Sequence, residues 1–137
     1  MFLLFTFLGY PYTFHVKTGD RRNAGTSAKV YVIMYGGSDG NQSSGKIWLQ
    51  GGSFERARTD VFTVPVADIL GRLSRVDIGH DNSGAGAGWF LDEVKIFCPS
   101  SGIEQVFRCD KWLALDEDDG AIERTLYEHS VEYKEKS

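Results

Sequence analysis

The chain has 137 residues, of which 25% are charged and 42% hydrophobic, and its formal net charge is −4. That is the size and composition of one globular domain with its own core, which excludes a disordered chain and one that needs metal or disulfide staples to fold. The mild acidity excludes the broad basic footprint that nucleic-acid binding demands.

Residues 1–8 are apolar. The run is too short to cross a bilayer, and it lacks the basic flank and small-residue cleavage site of a signal peptide. Residues 1–9 are therefore expected as an apolar leader, or as the boundary of a piece of a longer chain. Glycine numbers 16 against 3 prolines, and aromatics reach 13%. This balance suits short strands joined by turns that need positive φ.

Residues 10–16 alternate, with Tyr12, Phe14 and Val16 on one face and Thr13, His15 and Lys17 on the other, which predicts a half-buried strand. Residues 29–35 are β-branched and aromatic and predict a central strand, followed by a mobile Gly/Ser loop over 36–45. Further strands are predicted over 46–50, 60–66 and 73–79, with one helical turn over 67–72. The longest strand, 89–98, returns as a hairpin over 103–109, and a last strand covers 121–127. Residues 128–137 form a charged tail, expected as frayed or weakly helical. About eight short strands at regular spacing and no long helix indicate an all-β sandwich or barrel over residues 10–127. Trp48 and Trp89 fall within strands and are expected as packing residues.

Cys98 and Cys109 flank the turn at 99–102. Across that hairpin they stand about six rungs apart, ~20 Å at ~3.4 Å per residue, too far for an S–S bond. Both are expected as reduced thiols, in keeping with a cytosolic protein.

Antiparallel strands reverse at each connection, so the loops at 18–28, 51–58, 80–88 and 110–120 are expected to gather at one rim. That rim would hold Asp20, Glu55, Asp81, Asp110, Asp116, Glu117, Asp118 and Asp119. It would also hold Arg21, Arg22, Arg56, Arg58, Lys111, Phe54 and Trp112. Sandwiches carry their sites on end loops, so function is expected here.

No catalytic constellation appears. His15, His80 and His129 stand in unrelated contexts, and no nucleophile elbow, His-Glu-x-x-His or Cys-x-x-Cys is present. His80 beside Asp81 reads best as a strand-end residue bonded to a loop. The Gly-Ala-Gly-Ala-Gly run at 84–88 precedes a strand, whereas a phosphate cradle opens a helix. It is expected as a tight loop with close backbone approach. The acidic run at 116–119 lacks EF-hand spacing, so a solvated turn is the default, with calcium binding as the other reading. Trp112 has two readings: a loop-tip ring for a lipid headgroup layer, or a plug folded over the sandwich end.

Tyr12, Val16, Thr18 and Gly19, followed by Ala24, Gly25 and Thr26, resemble the start of a PLAT (lipoxygenase-homology, LH2) domain. Phe54, Glu55, Arg56, Asp60 and Phe62 fit its middle. The stretch from His80, Asp81 and Asn82 through Gly88, Trp89, Phe90, Leu91, Asp92, Glu93, Val94 and Ile96 is its most specific part. Phe107, Cys109, Trp112 and Leu113 also fit, and the wording of 112–120 and 124–127 is similar to modules of tandem PLAT arrays of inner-ear hair cells. The resemblance implies an antiparallel β-sandwich of two four-stranded sheets without enzymatic activity. It implies a tether for a larger, tandem-PLAT protein, at membrane lipids or at cytoskeletal or membrane proteins, with no nucleic acid and no small-molecule substrate. Its location would be cytoplasmic and peripheral at the plasma membrane, in stereocilia if the likeness to hair-cell arrays holds. No cofactor is required, but the family's calcium site would fall on Asn23, Gly25, Ser27, Ser53 and Glu55. Ser27 stands where calcium-binding members carry Asp, and Ser53 also lacks charge, so this site is expected to be weak or empty. Asp20 and Asp81 form a second candidate metal cluster. Of the family's membrane-inserting aromatics only Trp112 matches. Arg21, Arg22 and Arg56 offer contact with anionic headgroups or partners instead. The alternative is a calcium-independent protein-interaction or structural spacer module.

Overall fold

The computed structural model describes residues 8–137, so the leader expected over residues 1–9 lies outside them apart from Leu8 and Gly9. The alternation of Tyr12, Phe14 and Val16 with Thr13, His15 and Lys17 forms β1 (Tyr10–Thr18), with the first set buried. The chain continues through β2 (Val30–Gly36), β3 (Gln42–Trp48), β4 (Thr59–Val66) and β5 (Arg75–His80). It ends with β6 (Trp89–Cys98), β7 (Ile103–Leu113), β8 (Glu123–Leu126) and β9 (Glu128–Tyr133). These strands make two antiparallel sheets, one of five strands in the order β4-β1-β6-β7-β9 and one of four in the order β3-β2-β5-β8. Their inner faces meet in one core that includes Phe14, Phe62, Val94 and Phe107 from the first sheet and Val32, Met34, Val76 and Ile78 from the second. Trp89 is wholly buried in it and satisfies its indole by donating to Thr18 Oγ1 at 2.9 Å.

The first sheet holds one strand more than expected. The tail over 128–133 is β9, paired with β7 from Ile103↔Tyr133 to Phe107↔Glu128, and not a frayed or helical end. Charge hid its period. Val131 is half-buried opposite Gln105, while Glu128 takes two guanidinium bonds from Arg72 and one amide bond from Gln105. Charges along a sheet edge also guard it against stray pairing. No helical turn forms over 67–72. Tyr12 Oη accepts from Leu70 N–H at 2.9 Å, and the Gln105 amide makes a two-bond clamp on the backbone of Leu73. Side chains thus supply the partners that helical bonds would otherwise provide.

β3 begins at Gln42, inside the segment expected as a loop, and β7 runs four residues past Cys109. In the first case the Ser44 hydroxyl accepts from Met34 N–H at 2.9 Å and stands in for a ladder carbonyl. In the second, Asp110 takes a φ of 52°, and the ladder resumes at Leu91↔Lys111 after the bulge. Trp48 packs outside the core. It meets Tyr31 edge-on at 5.3 Å on the outer face of the four-stranded sheet and stays 40% exposed. Both cysteines are free thiols, Cys98 buried and Cys109 half-buried. Burial pushes the Cys109 thiol up to about 11.

Candidate functional site

Parity of strand direction brings the loops at 18–28, 51–58, 80–88 and 110–120 together. Backbone bonds join the first two: Thr18 N–H to Arg58 O at 3.0 Å, Ala57 N–H to Gly19 O at 3.1 Å and Thr26 N–H to Phe54 O at 3.1 Å. Others join the first loop to the start of β6 and to the third loop: Gly19 N–H to Phe90 O at 2.8 Å, Phe90 N–H to Ala24 O at 2.9 Å and Ser27 N–H to Gly86 O at 2.9 Å. Only glycine fits at position 25, because a Cβ there would lie 2.8 Å from Phe54 O. The rim is therefore built into the sheet ends by the main chain.

Asp60 anchors the second loop from below. Its carboxylate, 4% exposed, accepts from Ser53 N–H at 3.1 Å, Phe54 N–H at 3.0 Å and Arg58 Nε at 3.2 Å. Phe54 is held at a φ of 47° and packs on Phe62 and Trp89. Sequence reasoning placed Asp60 in a strand without a role. The signal was available, since an acid at an inward position must find hydrogen-bond donors. His80 closes the third loop. Its Nδ1 accepts from Asn82 N–H at 3.0 Å, so Nε2 carries the proton and donates to Leu113 O at 2.8 Å. Both ring nitrogens are thereby used structurally.

Among the candidate metal residues on the rim, Asp20, Ser27 and Asp81 are bonded to other groups of the chain. Asp20 Oδ1 pairs with Arg56 Nε at 2.8 Å. Asp81 Oδ1 accepts from Lys29 N–H and Ser83 N–H at 3.0 Å each and from the Ser83 hydroxyl at 2.6 Å. The Ser83 hydroxyl and the two backbone amides hold the Asp81 carboxyl at about 2. The Ser27 hydroxyl accepts from Gly86 N–H at 3.0 Å, and the Ser53 amide is taken by Asp60. Asn23 sits at a φ of 61°. Glu55 is the one carboxylate of the set with neither an ion pair nor a side-chain hydrogen bond to a described residue. Calcium takes six to eight oxygens with several carboxylates among them. Among the described residues no three His, Cys, Asp or Glu side chains group to hold a metal.

Arg21, Phe90 and Trp112 form a stack. The Arg21 guanidinium lies 4.0 Å over the centre of the Phe90 ring, and Trp112 meets the same ring edge-on at 5.3 Å. Trp112 is half-buried, neither a free loop tip nor a core plug. Its carbonyl accepts from Arg124 Nε at 2.9 Å and Nη2 at 2.6 Å. Arg124 also pairs with Asp119 at 2.7 Å and holds that carboxyl at about 2. Arg22 makes no ion pair with a described residue and is exposed. Beside the stack opens a cleft of about 740 Å³, bounded by Asn23, Asn82, residues 84–88, Trp112, Leu115, Asp116 and Glu117. Leu115 is 63% exposed, a feature sequence reasoning missed.

The fold is a two-sheet antiparallel sandwich whose loops gather side-chain chemistry at one rim. The PLAT/LH2 domain model matches residues 12–127, and the chain belongs to that family. It is 52% identical over 117 residues to lipoxygenase homology domain-containing protein 1 of human and of mouse, a match covering 85% of this chain and 6% of each relative. It is 31% identical over 108 residues to human polycystin-1, covering 78% of this chain and 2% of that protein. The chain thus spans a small part of the relatives it matches. A LOX structure with arachidonate superposes with a TM-score of 0.75 at 24% identity over 88% of this chain and 16% of its own. Coral 8R-lipoxygenase superposes with a TM-score of 0.72 at 23% identity over 86% of this chain and 17% of its own. Among the described residues no helix is long and apolar enough to cross a membrane.

Proposed function

We propose that the chain is a non-catalytic docking module that ties the protein it belongs to, through its loop rim, to a partner protein or a membrane surface without help from calcium. The observation that carries this reading is the Arg21–Phe90–Trp112 stack beside an open cleft with an exposed Leu115. Arginine and tryptophan next to exposed apolar surface are what binding hot spots are made of. Family membership supports the reading, since this chain matches modules of large proteins rather than their full length. Coral 8R-lipoxygenase is a case of calcium activation via a C2-like domain. Here Asp20 is held by Arg56 and Asp81 by its own turn, which favours a rim that is already formed. The exposed guanidinium of Arg22 favours a second reading, contact with anionic headgroups and a peripheral place at the plasma membrane.

Sedimentation with phosphatidylserine-containing vesicles tests both points. Binding is expected to be the same in EDTA and in calcium and to fall in Arg21→Glu with Arg22→Glu. An absolute calcium requirement would overturn the metal-free reading. Binding untouched by the double change would overturn the rim. No vesicle binding would remove the membrane reading and leave protein docking.

A further inference from the structure

The geometry points to a cation-binding cleft: the space between residues 84–88 and 112–117 receives a lysine or arginine side chain of a partner protein. This rests on the docking reading and names the chemistry of the partner. The acidic run at 116–119 is split in two. Asp118 and Asp119 face Arg124 at 3.7 Å and 2.7 Å, so both are engaged within the fold. Asp116 and Glu117 are exposed and form no ion pair with a described residue, and both line the cleft. No Lys or Arg lines it.

The aromatic wall points the same way. Tyr31, Tyr35, Trp48, Phe90 and Phe97 each carry a Lys or Arg of this chain within 5.5 Å of the ring centre. Trp112 carries none from the described residues, and it lines the cleft together with the free acids and the glycine run. Cations are attracted to an indole face and to carboxylates alike, whereas an anionic headgroup is repelled by Asp116 and Glu117.

The third feature is space. A Cβ at position 86 would find its nearest neighbour, Ser27 Oγ, only at 3.9 Å, whereas one at position 88 would stand 3.2 Å from Ala114 Cβ. A side chain at position 86 would fill the cleft without breaking the loop, so Gly86 keeps it open. Arg21 and Arg22 flank this site without lining it, which suits a partner with mixed charge around a central cation.

The probe is a capped Gly-Arg-Gly tripeptide, titrated into ¹⁵N-labelled protein at low ionic strength, with capped Gly-Glu-Gly as its control. The Trp112 indole and the amides of residues 84–88 are expected to shift saturably with the arginine peptide alone. Asp116→Asn with Glu117→Gln is expected to weaken binding about tenfold, the scale of two exposed charge contacts. Gly86→Leu should weaken it while leaving every charge in place. Asp68→Asn with Glu135→Gln, the same change in net charge placed elsewhere, should leave it intact. Shifts that survive the cleft variants, or that fall equally in the distant pair, would overturn the assignment. So would shifts produced by phosphatidylcholine vesicles but not by the peptide, which would give the cleft to a choline headgroup. If the peptide fails while rim-dependent vesicle binding persists, the cleft assignment falls and docking stands. If both fail, the cleft assignment and the membrane reading fall together.

Discussion

Removing the Asp60 carboxylate tests the account of how the rim is held. Asp60→Ala deletes the acceptor of the Phe54 amide, which is buried, and of the Ser53 amide, which is partly buried. Each hydrogen bond to a charged acceptor is worth about 1.5–3 kcal/mol. The Arg58 head is 56% exposed and regains water, so its loss adds little. Ser53 lies at the surface and recovers part of its bond. The balance is a loss of about 3 kcal/mol, and Phe54 loses the tie that keeps it at a φ of 47°. For a domain of this length, that shifts Tm by about 10 °C. Asp60→Asn keeps the shape and one acceptor oxygen and should cost about half as much. Urea unfolding of the three proteins, followed by Trp89 fluorescence, reads both values. A loss below about 1 kcal/mol in Asp60→Ala would refute the anchoring role, since that is within the range of an ordinary surface change.

Three further outcomes follow from individual contacts. Gly79→Ala would place a Cβ 2.6 Å from Tyr31 Oη and 2.9 Å from Ile122 O. It should cost about 1–3 kcal/mol, free Tyr31 from its bond to Glu123 and change Trp48 emission; unchanged emission would contradict the packing on that face. The Asp81 and Asp119 carboxyls are held at about 2, below the ordinary 3.8, by the Ser83 hydroxyl and by Arg124. Because the folded value lies below the unfolded one, their contribution is present above about pH 4 and is lost as pH falls toward 2. Tm against pH should drop in that window and drop less steeply in Asp81→Asn; parallel curves would exclude the linkage. Cys109, pushed up from 9.0 to about 11 by burial, should react with iodoacetamide at pH 8 roughly a hundredfold more slowly than a free thiol, and rapid labelling would contradict its burial.

Much of the fold can be read from the chain because its signals are local. Tyr12, Phe14 and Val16 announce β1, residues 99–102 announce the hairpin between β6 and β7, and parity alone collects the rim. The failures share one cause, a partner far away in sequence. The backbone of Leu70 and Leu73 stays out of a helix because Tyr12 and Gln105 reach it across 58 and 32 residues. Glu128 starts a strand, not a frayed tail, because Arg72 and Gln105 wait for it. Nor does the sequence show that Asp20 pairs with Arg56, 36 residues on. Likewise, composition shows four acids in a row at 116–119, but only Arg124 reveals which two are left unmet.

The central claim is a docking rim that stands ready without metal. Calcium titrated into the metal-stripped protein tests it most directly, with heat, Tm and the amide signals of Gly25, Glu55 and Asp81 followed together. The account predicts no saturable heat, no rise in Tm and no movement of those amides up to millimolar calcium. A saturable heat with a rise in Tm would mean that an ion binds the native rim, since a ligand of the folded state alone stabilises it. Calcium-gated docking would then replace the preformed rim.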